Sequence, residues 1–176
     1  MTFDNYSIRL ASEADAAGFF RLVDENRKRL ENGFAGTLSK TKTLSDTETF
    51  MKEKVRQMSE KKYYPFLLID SNSKNIIGVI DVKNIDWNIP KAELGCFLDQ
   101  HYTSKGISKK ALKLVIGHLF SEYKFEKLFL RTAPDNTPAR RQVESCGFEV
   151  EGIIRKDYKT TAGELLDMVY YGLLRK

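Results

Sequence analysis

The chain has 176 residues, of which 41% are hydrophobic and 30% charged, with a formal net charge of +5. That is the composition of an ordinary globular domain, long enough to bury a real core as a single unit spanning 1–176. No apolar run approaches the roughly 20 residues of a membrane-spanning helix, so a helical membrane protein is excluded.

The opening MTFDNYSIRL lacks a basic stretch followed by an apolar one, so no signal peptide is expected. Tyr6–Leu10 alternates like a short strand. Ser12 with Asp15 resembles a capping box, and Phe19, Phe20, Leu22, Val23 and Leu30 then mark the apolar face of a helix. Glu31–Thr43 reads as a polar connection, and Ser45 as the cap of a second helix running to about Ser59, with Phe50, Val55 and Met58 inward. PFLLID and IIGVIDVKNIDW are two strands around the turn SNSKN, and KAELGCFL is a third. Ile107, Ala111, Leu112, Leu114, Val115, Leu119 and Phe120 recur at helical spacing in the segment 104–123. KLFLRT is a strand, TPARRQVESCG a short helix, and FEVEGIIRKDY and ELLDMVYYGLL the last two strands. The order β-α-α-β-β-β-α-β-α-β-β implies a mixed α/β sheet containing a β-α-β crossover.

Chemistry is concentrated at 99-DQHYTSKGISKKAL-112, where a strand hands over to a helix. A helix N-terminus there points unpaired amides and a partial positive charge into one concavity, which suits an anion. Gly106 permits close backbone approach, Ser104 and Ser108 bring hydroxyls, and Lys105, Lys109 and Lys110 bring charge. Neither G-x-x-x-x-G-K-[ST] nor G-x-G-x-x-G is present. Cys96 and Cys146 lack metal or redox spacing and read as buried, inert thiols, which suits a reducing cytoplasm. The basic excess fits a polyphosphate cofactor, a ribosomal surface or nucleic acid, and equally a solvated surface.

AELGCFLDQHYTSKGISKKAL, LRTAPDNTPARRQVESCGFEVEGIIRKDY and DMVYYGLL together resemble the GNAT superfamily of N-acetyltransferases. Within it the resemblance is to the Rim-type enzymes that acetylate ribosomal-protein N-termini, and it runs from about Ser7 to Leu174. It implies a mostly antiparallel sheet with helices on both faces, splayed between strands 91–98 and 127–132 to admit the pantetheine arm of acetyl-CoA. The family's pyrophosphate loop, [QR]-x-x-G-x-[GA], falls on His101, Ser104 and Gly106, with His101 in place of Gln or Arg and Ser104 in place of the first glycine. The serine fits if its φ is negative. The resemblance implies that Lys105, Ile107 and Ser108 complete the loop, while backbone groups of Phe97 and Leu98 pair with the pantetheine. Asn136 then contacts the cofactor, or else caps a local turn or helix.

The thiolate donors usual in the family are replaced here by Val143 and Ala139. The remaining candidates are Glu93, as a base through water or a merely hydrogen-bonded carboxylate, and Tyr158 as a hydroxyl donor, with Asp157 beside it on the acceptor side. An α-amine, with pKa about 7.7–8.0, is partly free base at neutral pH, whereas a lysine amine at about 10.4 is almost wholly protonated. A site with weak acid–base machinery therefore favours a protein N-terminus. The alternatives are a small amine (polyamine, aminoglycoside or amino acid) and a non-catalytic acetyl-CoA-binding or ribosome-binding module. No metal and no membrane partner are expected, and nucleic acid only indirectly through the ribosome. The Tyr-rich DMVYYGLL leaves a homodimer open, although core packing explains it equally well.

Overall fold

A computed structural model describes residues 1–176. Strands β1 (Thr2–Phe3) and β2 (Tyr6–Leu10) precede helices α1 (Ala16–Leu30), α2 (Ala35–Ser39) and α3 (Leu44–Ser59). The antiparallel run β3 (Tyr64–Asp70), β4 (Ile76–Asp86) and β5 (Lys91–Leu98) leads to α4 (Ile107–Ser121). The chain closes with β6 (Lys127–Thr132), α5 (Thr137–Glu144), β7 (Glu149–Lys159) and β8 (Leu165–Leu174). The sheet order is β1-β2-β3-β4-β5-β6-β8-β7, and only β5 and β6 are parallel. Parallel neighbours cannot be joined by a hairpin, so α4 has to cross over one face to reach β6.

Alternation along the strands makes two cores. Ile77, Ile80, Val82, Leu94, Leu128 and Tyr171 pack under α4 with Val143 of α5, while Leu67, Ile76, Val79 and Phe97 face α1 and α3. The mixed sheet with helices on both faces is therefore as the sequence implies. The splay is present too. β5 pairs with β6 only from Lys91 to Glu93, while β6 stays bound to β8 from Lys127 to Thr132. From Leu94 to Leu98, the side of β5 that faces β6 has no strand partner.

Local chemistry adjusts several boundaries. Thr43, not Ser45, caps α3, because its hydroxyl accepts the Asp46 amide at 3.1 Å and Asp46 reciprocates to the Thr43 amide. The expected connection 31–43 contains α2, fastened through Phe34 to Phe97 with ring centroids 4.9 Å apart. Helix α4 begins at Ile107 rather than near Ser104, since Gly106 stands at its N-cap with φ 72°. Leu114, expected on the inner face of α4, is exposed. The idea that DMVYYGLL pairs with another subunit is overturned: β8 lies between β6 and β7 and both its edges are occupied.

Candidate active site

The turn between β5 and α4 is organised by Asp99, whose carboxylate accepts the His101 amide at 2.9 Å. The amides of Tyr102 and Thr103 bond back to Asp99 and Gln100, and the next bonded amide is Lys110, to the Gly106 carbonyl at 3.1 Å. Between them, the amides of Ser104, Lys105, Gly106, Ile107, Ser108 and Lys109 donate to no protein acceptor. Ser104 at φ 62° and Gly106 at φ 72° flank Lys105. Left-handed residues alternating with ordinary ones turn successive N–H groups toward a common concavity, the geometry that binds anions.

Ser104 therefore departs from the negative φ expected of it. The turn requires a left-handed residue where the family pattern has glycine, and a non-glycine residue held there costs roughly 1–2 kcal/mol. Ser104→Val should lower folding stability by at least about 1 kcal/mol, because β-branching deepens that strain. Ser104→Gly should stay within about 0.5 kcal/mol of the parent, relief of strain offsetting added unfolded-state entropy. Denaturant titration of the three proteins checks this.

The other expected loop residues divide between those with free polar groups and those engaged within the fold. The Ser108 hydroxyl accepts from Gln142 at 2.8 Å and lies 3.6 Å from the Cys96 sulfur, so it is engaged inside the fold and not free for an anion. Lys105 reaches back to the His101 carbonyl at 3.1 Å, and Lys110 pairs with Asp4, while Lys109 and the exposed His101 ring have no partner. Ile107 is a core residue that offers its amide to the row. Asn136 caps α5, accepting the Ala139 amide at 3.3 Å, which leaves its side-chain NH2 free. Phe97 is buried against Phe34, and the Leu98 carbonyl accepts from Arg29 at 3.3 Å. Burial pushes the Cys96 thiol up to about 11, so it stays protonated and inert.

On the other side of β5, the buried Glu93 is fully engaged. One carboxylate oxygen meets Arg131 at 3.3 Å and Lys83 at 3.4 Å, and the other accepts from Asn84 at 2.6 Å. Of the two readings of Glu93, the geometry favours the hydrogen-bonded carboxylate. Arg131 also binds Asp157 at 2.5 Å, and Tyr170 donates to Asp157 at 2.7 Å. Burial alone would raise the Asp157 carboxyl, but Tyr170 and Arg131 outweigh it and hold the group below its usual range. Tyr158 accepts the Ala35 amide at 2.8 Å through its hydroxyl, and its own proton has no acceptor. Burial raises its pKa, so the hydroxyl keeps its proton at neutral pH. Asp81, opposite Gly95 on β4, is also pushed upward by burial, against the nearby Tyr63 hydroxyl, Lys83 and Lys54.

The sequence reading missed Arg131, the hub that joins β5 to β7 across the splay, together with Tyr170, Lys83 and Asp81. A trace of Arg131 was available: KLFLRT places an arginine directly after three apolar residues, on the strand face it shares with Phe129.

Residues 6–149 match the family described as the Acetyltransferase (GNAT) domain. The chain belongs to the GNAT acetyltransferase family. As a member it is an acyl-transferring enzyme, and its relatives bear this out. YdaF of Bacillus subtilis, which carries a provisional ribosomal N-acetyltransferase name, is 27% identical over 98% of this chain and 93% of its own. The spermidine N(1)-acetyltransferase of Vibrio cholerae is 20% identical over 66% of this chain and 65% of its own. Among solved structures, the ribosomal-protein-S5-alanine acetyltransferase of Vibrio fischeri superposes with a TM-score of 0.89 at 22% identity, covering 99% of this chain and 95% of that one. RimL, the ribosomal L7/L12 α-N-protein acetyltransferase solved with coenzyme A, gives a TM-score of 0.89 at 17% identity, covering 98% and 95%. At those identities the superpositions establish the shared fold.

Proposed function

We propose that this GNAT enzyme transfers the acetyl group of acetyl-CoA to the N-terminal α-amine of a protein, with ribosomal proteins the substrate class its relatives suggest. The observation that carries the reading is the row of six unpaired amides beside the β5–β6 splay. Such a row suits a diphosphate, whose charge-assisted hydrogen bonds are the strong kind. The unpaired side of β5 from Leu94 to Leu98 offers strand-like partners to the pantetheine amides. Acetyl-CoA supplies an activated acyl group, and this chain supplies position. As the amine attacks the thioester carbonyl, the C–N bond forms and the C–S bond breaks; Tyr158 gives its proton to the departing sulfur and takes back the one that the nitrogen loses. Glu93 fixes Arg131 and Asn84, and the amine reacts as the share of it that is free base.

A polyamine acceptor is the second reading, favoured by the spermidine-acetylating relative. The charge balance weighs against it. Asp81, Glu93 and Asp157 face Lys54, Lys83 and Arg131, three acids against three bases, which leaves no net acidic lining for a polycation.

Thiol release from acetyl-CoA should be faster with N-terminal peptides than with spermidine or free lysine. With peptide, kcat/KM should rise about tenfold per pH unit and level off near the α-amine pKa of about 8. Turnover of spermidine alone, climbing toward pH 10, is the contrary result. Tyr158→Phe should lower kcat about 100-fold, at the low end for general acid catalysis, with coenzyme A affinity unchanged.

A further inference from the structure

With the diphosphate held at 104–109, the cofactor's arm enters at the Leu98 end of β5 and runs back along the strand. β5 is paired with β6 again at Glu93, so the thioester stops where the splay closes, beside Gly95. Gly95 opens a slot there, on the sheet face that it shares with Glu93. A Cβ at this position would stand 3.7 Å from Phe34 and 3.8 Å from both Asp81 and Lys83. Those three side chains therefore bound a space that would take a methyl group or an ammonium. Gly95 is only half-buried, so the slot reaches solvent. Phe34 precedes Ala35, whose amide binds the Tyr158 hydroxyl, which ties the proton donor to the wall of the same slot.

Asp81, directly opposite Gly95 on β4, is 9% exposed and makes no ion pair. The two cations that act on it are committed elsewhere. Lys83 lies 3.4 Å from Glu93, and Lys54 of α3 sits 3.5 Å over the Tyr63 ring and 3.3 Å from Gln57. Lys40, between α2 and α3, faces Lys54, and the Tyr63 hydroxyl is the remaining titratable neighbour. Burial outweighs all of these and pushes the Asp81 carboxyl upward. A buried carboxylate with no paired cation is costly, and a cation entering the slot removes that cost.

We propose that Asp81 receives the ammonium group of the acceptor in the slot over Gly95 and holds its nitrogen beside the thioester. The proposal rests on the cofactor placement above and not on which amine is acetylated. A carboxylate accepts an N–H from the ammonium and from the neutral amine alike, and binds the charged form more strongly. The amine still attacks as the free base, after its extra proton has passed to solvent. As it attacks, the nitrogen gains positive charge, which the same carboxylate stabilises. By linkage, a preference of about tenfold for the charged form raises the pKa of the bound amine by about one unit.

Steady-state kinetics of Asp81→Asn with an N-terminal peptide, at pH 7 and pH 9, tests this. At pH 7 most of the α-amine is charged, and KM should rise about tenfold; at pH 9 most is neutral, and the rise should be only about twofold. The pH at which kcat levels off should fall by about one unit, and kcat/KM should fall about tenfold at either pH. Unchanged coenzyme A affinity by calorimetry would show that the variant is folded. Gly95→Ala narrows the slot without altering its charge, so it should raise KM by the same factor at both pH values. An Asp81→Asn enzyme whose KM is unchanged, or rises equally at both pH values, overturns the proposal. Should that variant not fold, Gly95→Ala decides alone, and an unaltered KM overturns the slot. If spermidine is turned over and peptide is not, the α-amine acceptor fails and Asp81 is judged on spermidine. A rise of about tenfold in its KM at pH 7, where its amines are charged, then supports the proposal, and an unchanged KM overturns it.

Discussion

Gly106→Val should weaken coenzyme A binding by about 100-fold and lower folding stability by about 1–2 kcal/mol, while the far-ultraviolet spectrum changes little. Gly106 sits at φ 72° with nothing within 4 Å of where a Cβ would stand, so a valine meets no clash in the free protein. Its difficulty is conformational, since β-branched residues are genuine outliers at positive φ. The turn can escape that strain only by rotating, which takes neighbouring amides out of the row. A hydrogen bond to a charged group is worth roughly 1.5–3 kcal/mol, so losing one or two of them reaches the ~2.8 kcal/mol that a hundredfold requires. Calorimetric titration with coenzyme A reads the effect. Undiminished affinity would remove the loop from the cofactor site.

Arg131→Met should lower folding stability by about 3 kcal/mol and cut kcat, with coenzyme A affinity held. The guanidinium satisfies Glu93, whose side chain is 4% exposed, and Asp157 together. Removing one partner of a buried ion pair costs roughly 3–5 kcal/mol, and the partial exposure of Arg131 places this case at the low end. Acid sensitivity should change as well. The Asp157 carboxyl is held below its usual range when folded, so its contribution is present above the unfolded pKa of about 4 and is lost as pH falls below it. In the variant that acid-dependent share should shrink. Chemical denaturation at pH 7 and pH 3 measures both effects.

The strands and long helices were legible because their periodicity is strong. KAELGCFL and the α4 segment alternate and repeat as burial demands, and Asp15 takes its capping role against Ser12. The loop was legible as a place but not as a conformation. Nothing local in TSKG announces that Ser104 adopts the left-handed turn of a glycine, because the anion-binding geometry of the whole turn imposes it. Short-range capping misled at Ser45, since Thr43 two residues earlier had an equally suitable partner in Asp46. Arg131 escaped for another reason. Its partners Glu93 and Asp157 lie 38 and 26 residues away in sequence, and only the order β5-β6-β8-β7 brings them together. The same topology buries both edges of the Tyr-rich β8 and leaves β7 outermost, which one-dimensional patterning cannot decide.

The central claim is that main-chain amides from Ser104 to Lys109 grip a diphosphate. Parallel calorimetric titrations with coenzyme A and with pantetheine, which keeps the thiol arm but lacks the phosphates, test it most directly. The account predicts measurable binding of coenzyme A and an affinity for pantetheine lower by at least about a thousandfold, the ~4 kcal/mol of two or more charge-assisted bonds. Equal affinity for the two would contradict it.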